Sequence, residues 1–226
     1  MVSLNPFRLF NPIFNHYIGG ENRDVFFDID ATIPALRHLD SNIEIIQREL
    51  DTILPTEIPK YHEVDSWQYK ISGEQDPDKD WKVFMLYAFG EKHEVNRAHC
   101  PRTTELIDSV PGLFQAFFSI LDPGKSIPAH SGPYRGYLRY HLGLRIPKNN
   151  PPKIRVKDQF HTWKRGESIL FDDSWDHEVI NHSDDTRVIL IIDVMRPLPP
   201  FPHRLNQLIH DVFGKLYGKK LAAQFR

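Results

Sequence analysis

The hydrophobic pattern changes character about halfway along the chain. Between residues 31 and 54 apolar side chains recur at helical spacing, with Ile43, Ile46, Leu50, Ile53 and Leu54 on one face, Pro34 near the start, and Pro55 and Pro59 closing the segment. A polar loop at 72–80 leads into the apolar run WKVFMLYAF at 81–89. A short helix is expected over 103–110, capped by Thr103 or Thr104 and stopped at Pro111-Gly112. From Phe114 the period falls to two. QAFFSIL, GYLRYHLGLRI, KIRVK, FHTW, SILFD, HEVI and RVILIIDV are short runs rich in β-branched and aromatic residues, separated by Pro, Gly, Asn and Asp turns. After the proline-rich stretch 197–202 helical spacing returns, placing Leu205, Leu208, Ile209, Val212, Phe213, Leu216, Tyr217 and Leu221 on one face.

This order predicts a mainly β protein: an all-β sandwich or barrel such as a jelly roll, with helices flanking it. We read one domain over 1–226. Residues 1–112 form a helical and irregular region packed on the core, 113–197 form the β core, and 203–226 form an amphipathic helix. Forty percent hydrophobic residues in 226 suffice for a sizeable core. A net charge of −2 offers no basic field for nucleic acid. The single cysteine, Cys100, excludes an internal disulfide framework and a thiolate zinc site, so a metal would be held by histidine, carboxylate or water. The start, MVSLNPFRLFNPIF, does not read as a signal peptide, and no run of 18 or more apolar residues suggests a membrane span. The expected setting is intracellular and cytoplasmic.

Strand 137–147 carries the first chemistry. Leu138, Tyr140, Leu142, Leu144 and Ile146 alternate with Tyr137, Arg139, His141, Gly143 and Arg145. The second set is either an ordinary solvent face or one wall of a jelly-roll cavity, where Arg and His suit an anion or a metal. His130 lies just before this strand in P-A-H-S-G-P, and His177 lies in F-D-D-S-W-D-H-E-V. Two histidines with open positions suit Fe(II) or a similar divalent ion, although their spacing decides nothing. Arg187 opens RVILIIDV, a run apolar on both faces. A guanidinium buried there needs an anion, whether Asp172, Asp173 or Asp193 in an ion pair, or a ligand carboxylate.

Several stretches together resemble the aspartyl/asparaginyl β-hydroxylase family. They are S-I-L-D-P-G at 119–124, H-S-G-P at 130–133, L-R-Y-H-L-G-L at 138–144, W-x-x-G-E at 163–167, F-D-D-S-W-D-H-E-V at 171–179 and R-V-I-L-I-I-D-V at 187–194. Weaker similarity reaches back through C-P-R-T at 100–103 to Asp80-Trp81. The resemblance implies a double-stranded β-helix (a cupin-like jelly roll) and an Fe(II)- and 2-oxoglutarate-dependent dioxygenase that uses O₂ to hydroxylate an unactivated C–H. It implies His130 and His177 as iron ligands. Arg187 and Ser119 would bind the distal carboxylate of 2-oxoglutarate, Arg139 and His141 would contact the same cosubstrate, and Trp81 would line its pocket. On the same grounds His130, His177 and Arg187 are the catalytic set. Most 2-oxoglutarate oxygenases have an acidic ligand two positions after the first histidine. Here that position is Gly132, a departure shared with this family, which leaves water in its place. Asp172, Asp173 and Glu178 are then candidates for orienting the imidazoles.

The family name points to Asp or Asn of a peptide or protein as substrate. Bacterial relatives similar in G-Y-L-R-Y-H-L-G-L hydroxylate acyl chains of lipid A or ornithine lipids, which is the alternative reading. A rival of another class is a non-catalytic jelly-roll binding module. It predicts damage to His130, His177 or Arg187, and all three are present. A zinc hydrolase would have no use for Arg187 with Ser119. The C-terminal segment carries Arg204, Lys215, Lys219, Lys220 and Arg226 against Asp211. Such a basic amphipathic helix, with Phe7, Phe10 and Phe14 beside it, suits peripheral contact with an anionic membrane, or packing on the core or on a second copy.

Overall fold

The structure is a computed structural model that describes residues 6–64, 78–214, 216 and 218. Two antiparallel sheets face each other, a jelly-roll sandwich. In chain order the strands are β1 (Phe26–Phe27), β2 (Trp81–Ala88), β3 (Glu91–Lys92), β4 (Leu113–Leu121), β5 (Ile127–Ser131), β6 (Tyr137–Arg145), β7 (Lys153–Val156), β8 (Gln159–Thr162), β9 (Ser168–Phe171), β10 (Asp176–Ile180) and β11 (Arg187–Met195). The large sheet runs β1-β9-β6-β11-β4-β2-β3 and the small sheet β5-β10-β7-β8. The period-two runs of the sequence are therefore the strands. The short β1, β3 and β5, whose residues show little alternation, are found only in the fold.

Alternation decides which residues reach the cavity. The even positions of β6 and β11, from Leu138 to Leu144 and Val188 to Val194, belong to a core covered by helices. The odd positions face the small sheet, where Trp81, Val83, Phe117, Ile189 and Ile191 meet Ile154, Val156 and Val179. Tyr137 and His141 are buried on that inner face, so the polar face is a cavity wall over 137–141. A bulge between Gly143 and Arg145 breaks the expected alternation, leaving Arg145 exposed and paired with Asp51 at 2.7 Å and Ile146 against the inner core.

The principal helices are α1 (Asn11–Ile18), α2 (Ile43–Ile53), α3 (Pro101–Asp108) and α4 (Pro200–Ile209). The helix expected over 31–54 is broken. A turn at Ile29–Thr32, a 3-10 turn at Pro34–Leu36 and a helix at Arg37–Ser41 precede α2. Pro34 supplies no N–H for a continuous ladder, and Asn42 leaves helical geometry. The expected face of α2 does pack, burying Ile46, Leu50 and Ile53 on the large sheet. Capping of α3 differs from expectation: neither threonine caps it. The Glu49 carboxylate accepts from the backbone N–H groups of Arg102 (2.9 Å) and Thr103 (2.7 Å), so a side chain of α2 satisfies the orphan donors.

The termini also differ. Phe7 and Phe14 point inward, buried around Tyr134, while Leu9, Ile13 and Tyr17 are the exposed apolar residues of that segment. Of the C-terminal stripe, Ile209 is buried and Leu205 half-buried, but Leu208, Val212 and Leu216 are exposed. Lys215, Tyr217, Lys219, Lys220, Leu221 and Arg226 lie outside the described residues, as does most of the 72–80 loop.

Candidate functional site

Register brings the two histidines together. His177, the second residue of β10, is paired across the small sheet with His130 on β5, and their ring centroids are 4.2 Å apart. Each ring is oriented by backbone. His130 Nδ1 meets the Pro128 carbonyl at 2.7 Å and His177 Nδ1 the Trp175 carbonyl at 2.9 Å. An Nδ1–H donated to each carbonyl leaves both Nε2 lone pairs available, the tautomer a metal takes. Burial lowers the pKa of both, and for His177 the neighbouring His130 lowers it further, so neutral rings are favoured. The carboxylates expected to orient the imidazoles do not do so. Glu178 pairs with Arg155 at 2.5 Å, and Asp172 binds Arg23 at 2.8 Å and Arg196 at 2.6 Å.

Asp173 explains the glycine at 132. A Cβ there would lie 2.5–2.6 Å from the Asp173 carboxylate, so no side chain fits while Asp173 is in place. Desolvation and the nearby Asp193 and Asp172 push the Asp173 carboxyl up to about 7, against the pull of Arg139. Among the described residues no third His, Cys, Asp or Glu joins the pair in a cluster able to hold a metal.

Arg187 lies on the inner face of the large sheet and is 1% exposed. Among the described residues it makes no ion pair, and its Nε has no partner. None of Asp172, Asp173 and Asp193 neutralises it. Its polar contact is Ser119 Oγ at 3.5 Å, and Trp163 lies 4.8 Å from the guanidinium carbon. Trp81 fixes that serine, donating its indole N–H to Ser119 Oγ at 2.9 Å. Desolvation pulls the Arg187 pKa down to about 9. A buried cation in this state carries a desolvation cost that a bound anion would relieve.

Arg139 is in the opposite condition. Its Nε and Nη2 grip both oxygens of Asp193 at 2.7 and 2.8 Å, and its Nη1 lies 3.1 Å from Asp173, which also accepts from the Tyr137 hydroxyl. His141 stands between the two arginines. It is buried, both ring nitrogens lack partners among the described residues, and desolvation followed by Arg139 and Arg187 drives its pKa well down. Ring contacts link the parts: His177 to Phe171 (6.2 Å), Phe171 to His141 (4.9 Å) and His141 to Trp163 (5.7 Å).

The seven residues singled out from the sequence thus line one cavity, His130 and His177 on the small sheet and Trp81, Ser119, Arg139, His141 and Arg187 on the large sheet facing it. Three contributors were missed. Trp163, whose Nε1 is buried without a partner, was visible only as a motif letter. Asp173 is expected from the sequence only as a partner of Arg187 or an orienter of a ring, and not as the group that fills the space beside Gly132. Arg23 has no local signal at all. It is 4% exposed, bonds Asp172 and Ser174, and lies 3.5 Å over Trp175, the residue whose carbonyl orients His177.

A model of the aspartyl/asparaginyl β-hydroxylase family matches residues 40–197. The chain is 41% identical over 171 residues to the ornithine lipid ester-linked acyl 2-hydroxylase of Rhizobium tropici, covering 74% of this chain and 59% of that protein. It is 37% identical over 123 residues to the human aspartyl/asparaginyl beta-hydroxylase, covering 52% of this chain and 16% of that one. Among solved structures, a Cupin 2 conserved barrel domain protein from Salinispora arenicola is distantly similar, with a TM-score of 0.35 and 8% identity over 58% of this chain and 86% of that one.

Proposed function

Because the chain belongs to the aspartyl/asparaginyl β-hydroxylase family, we propose that it is an Fe(II)- and 2-oxoglutarate-dependent dioxygenase that hydroxylates an unactivated C–H bond. The observation that carries this reading is Arg187: a fully buried guanidinium without a counter-charge among the described residues, on the cavity wall that faces a pair of neutral histidines.

The donors present fit the group. His130 and His177 would hold Fe(II) through Nε2, and the remaining positions would go to 2-oxoglutarate, O₂ and water. Bound Fe(II) with 2-oxoglutarate and O₂ supplies the oxidising power for C–H cleavage, and the protein supplies position and a dry site. Arg187 and Ser119 would take the distal carboxylate of the cosubstrate, with Trp81 holding the serine hydroxyl in place. His141 offers two unpaired nitrogens to the same ligand. Arg139, with Asp193 and Asp173 on its fork, contributes positive potential and a rigid wall more than a free hydrogen-bonding edge. Phe171 and Trp163 exclude water from the space between.

For the substrate, the greater identity and longer match to the Rhizobium protein favour the acyl chain of a membrane lipid, with ornithine lipid as the first compound to try. The family as a whole supports the second reading, Asp or Asn in a peptide. The chain spans 59% and 16% of the two relatives' lengths, so both substrate readings are carried over as proposals. The test incubates the protein with Fe(II), 2-oxoglutarate, O₂ and either ornithine lipid or an Asp/Asn peptide. A product heavier by one oxygen, with stoichiometric succinate, is expected from the lipid. His177→Ala abolishes both. Hydroxylation of peptide alone reverses the substrate reading, and succinate formation that survives His177→Ala overturns the metal assignment.

A further inference from the structure

We propose that the outward faces of α1 and α4, with the turn that continues α4, form a docking surface for an anionic lipid bilayer beside the mouth of the His130 site. This deepens the lipid reading above and rests on it for the choice of occupant.

Both helices lie outside the stretch matched by the family, and both grip the loop that follows His130. From α1, Asn11 donates to the Pro133 carbonyl (3.0 Å) and accepts from the Arg135 N–H (2.9 Å), while Arg8, one turn earlier, reaches the Ser131 carbonyl (3.3 Å). From α4, Asn206 accepts from the Tyr134 hydroxyl (2.6 Å) and donates to the Gly136 carbonyl (2.6 Å). Phe7 and Phe14 pack on the same Tyr134. The inner faces of the two helices are thus committed to residues 131–136.

Their other faces are apolar and open. Leu9, Ile13 and Tyr17 recur every fourth residue and are 41–69% exposed. Phe201, Leu208, Val212 and Leu216 are 46–68% exposed. Seven large apolar side chains on α1, α4 and the segments that adjoin them exceed the scattered singles of an ordinary surface.

Charge selects the occupant. Arg8 and Arg204 are exposed on these segments. From 204 to 226 the sequence has five basic residues against Asp211, in a chain whose net charge is −2. Exposed apolar side chains with Arg8 and Arg204 on the same segments, in a stretch whose sequence is basic, match a bilayer with anionic headgroups: the apolar side chains would enter the headgroup–acyl boundary and the cations remain at the surface. A substrate acyl chain leaving that bilayer would meet the protein at the loop next to an iron ligand.

The experiment uses the full chain and two triple variants, Leu9→Ser/Ile13→Ser/Tyr17→Ser and Leu208→Ser/Val212→Ser/Leu216→Ser, each checked by thermal unfolding. Co-sedimentation is measured with phosphatidylcholine vesicles, with and without about one third phosphatidylglycerol. Wild type is expected to bind the anionic vesicles, and each variant is expected to bind them about tenfold or more weakly at unchanged unfolding temperature. Hydroxylation of detergent-dispersed ornithine lipid should be equal in all three proteins, separating docking from chemistry. Docking is overturned if wild type ignores anionic vesicles or if the folded variants bind as well as wild type. It is equally overturned if light scattering shows a wild-type dimer that both variants convert to monomer, since a second copy would then cover the face. Vesicle binding with no lipid hydroxylation would sink the substrate reading and leave docking intact.

Discussion

Arg139 and Arg187 face the same cavity from neighbouring strands, and their surroundings differ in every respect that matters to a buried cation. Arg139 is clamped by Asp193 and Asp173 and its pKa is raised well above normal, with the two carboxylates overcoming desolvation. Arg187 has a serine hydroxyl and a tryptophan, and desolvation alone lowers its pKa. A satisfied buried ion pair is part of the scaffold. A buried cation without such a partner carries an unrelieved desolvation cost, which a bound anion would offset.

That contrast is most sharply tested by removing each charge. Arg139→Met leaves Asp173 and Asp193 buried and unpaired, so it should lower unfolding stability by about 3–5 kcal/mol in denaturant titration. Arg187→Met removes an uncompensated charge, so its stability should equal or exceed wild type, while the rise in melting temperature on adding 2-oxoglutarate with Co(II) disappears and turnover falls by about 10²–10³. Equal destabilisation by both substitutions would end the distinction. Next in size, Gly132→Ala sets a Cβ against the Asp173 carboxylate and should cost about 1–3 kcal/mol, and Gly132→Ala in an Asp173→Asn background should cost no less, since the amide fills the same space. Recovery in that background would show that charge, not volume, excludes a side chain there.

The histidine between the arginines provides a pH test. His141 has a folded pKa well below 6.5, so the unfolded chain binds the extra proton and stability falls as pH drops below about 6.5. His141→Asn should therefore flatten the acid limb of the stability profile by up to about 1.4 kcal/mol per pH unit relative to wild type. An unchanged slope would mean that His141 is solvated. The smallest effect expected is from Ser119→Ala, a few-fold to tenfold rise in the KM for 2-oxoglutarate with kcat nearly unchanged, about 1 kcal/mol for a neutral hydrogen bond beside the charge.

The site was more legible in the sequence than the scaffold that positions it. The strand that carries His130, β5, is found only in the fold, whereas His141, His177 and Arg187 sit on strands whose runs are local in the sequence and could be placed without long-range information. The carbonyls that fix the two imidazoles could not, because every residue has one and only the β5 and β10 backbone paths show which are used. Arg23 was equally hidden. It reaches Asp172 across 149 residues from a segment with no regular pattern.

Sequence alone determined the period-two strands, the turns between them and the burial of β11 on both faces, since these follow from residue type and nearest neighbours. Tertiary structure decided the rest. It gave Asp193 and Asp173 to Arg139 and left Arg187 without a carboxylate among the described residues. It made the face of β6 bearing Arg139 and His141 a cavity wall, capped α3 with Glu49, turned Phe7 and Phe14 inward and left Leu9, Ile13 and Tyr17 outside. The reason is common to all of these. Which of several equivalent partners a buried charge, a helix end or an apolar ring obtains depends on where distant strands and helices come to lie, and composition and spacing carry no record of that competition.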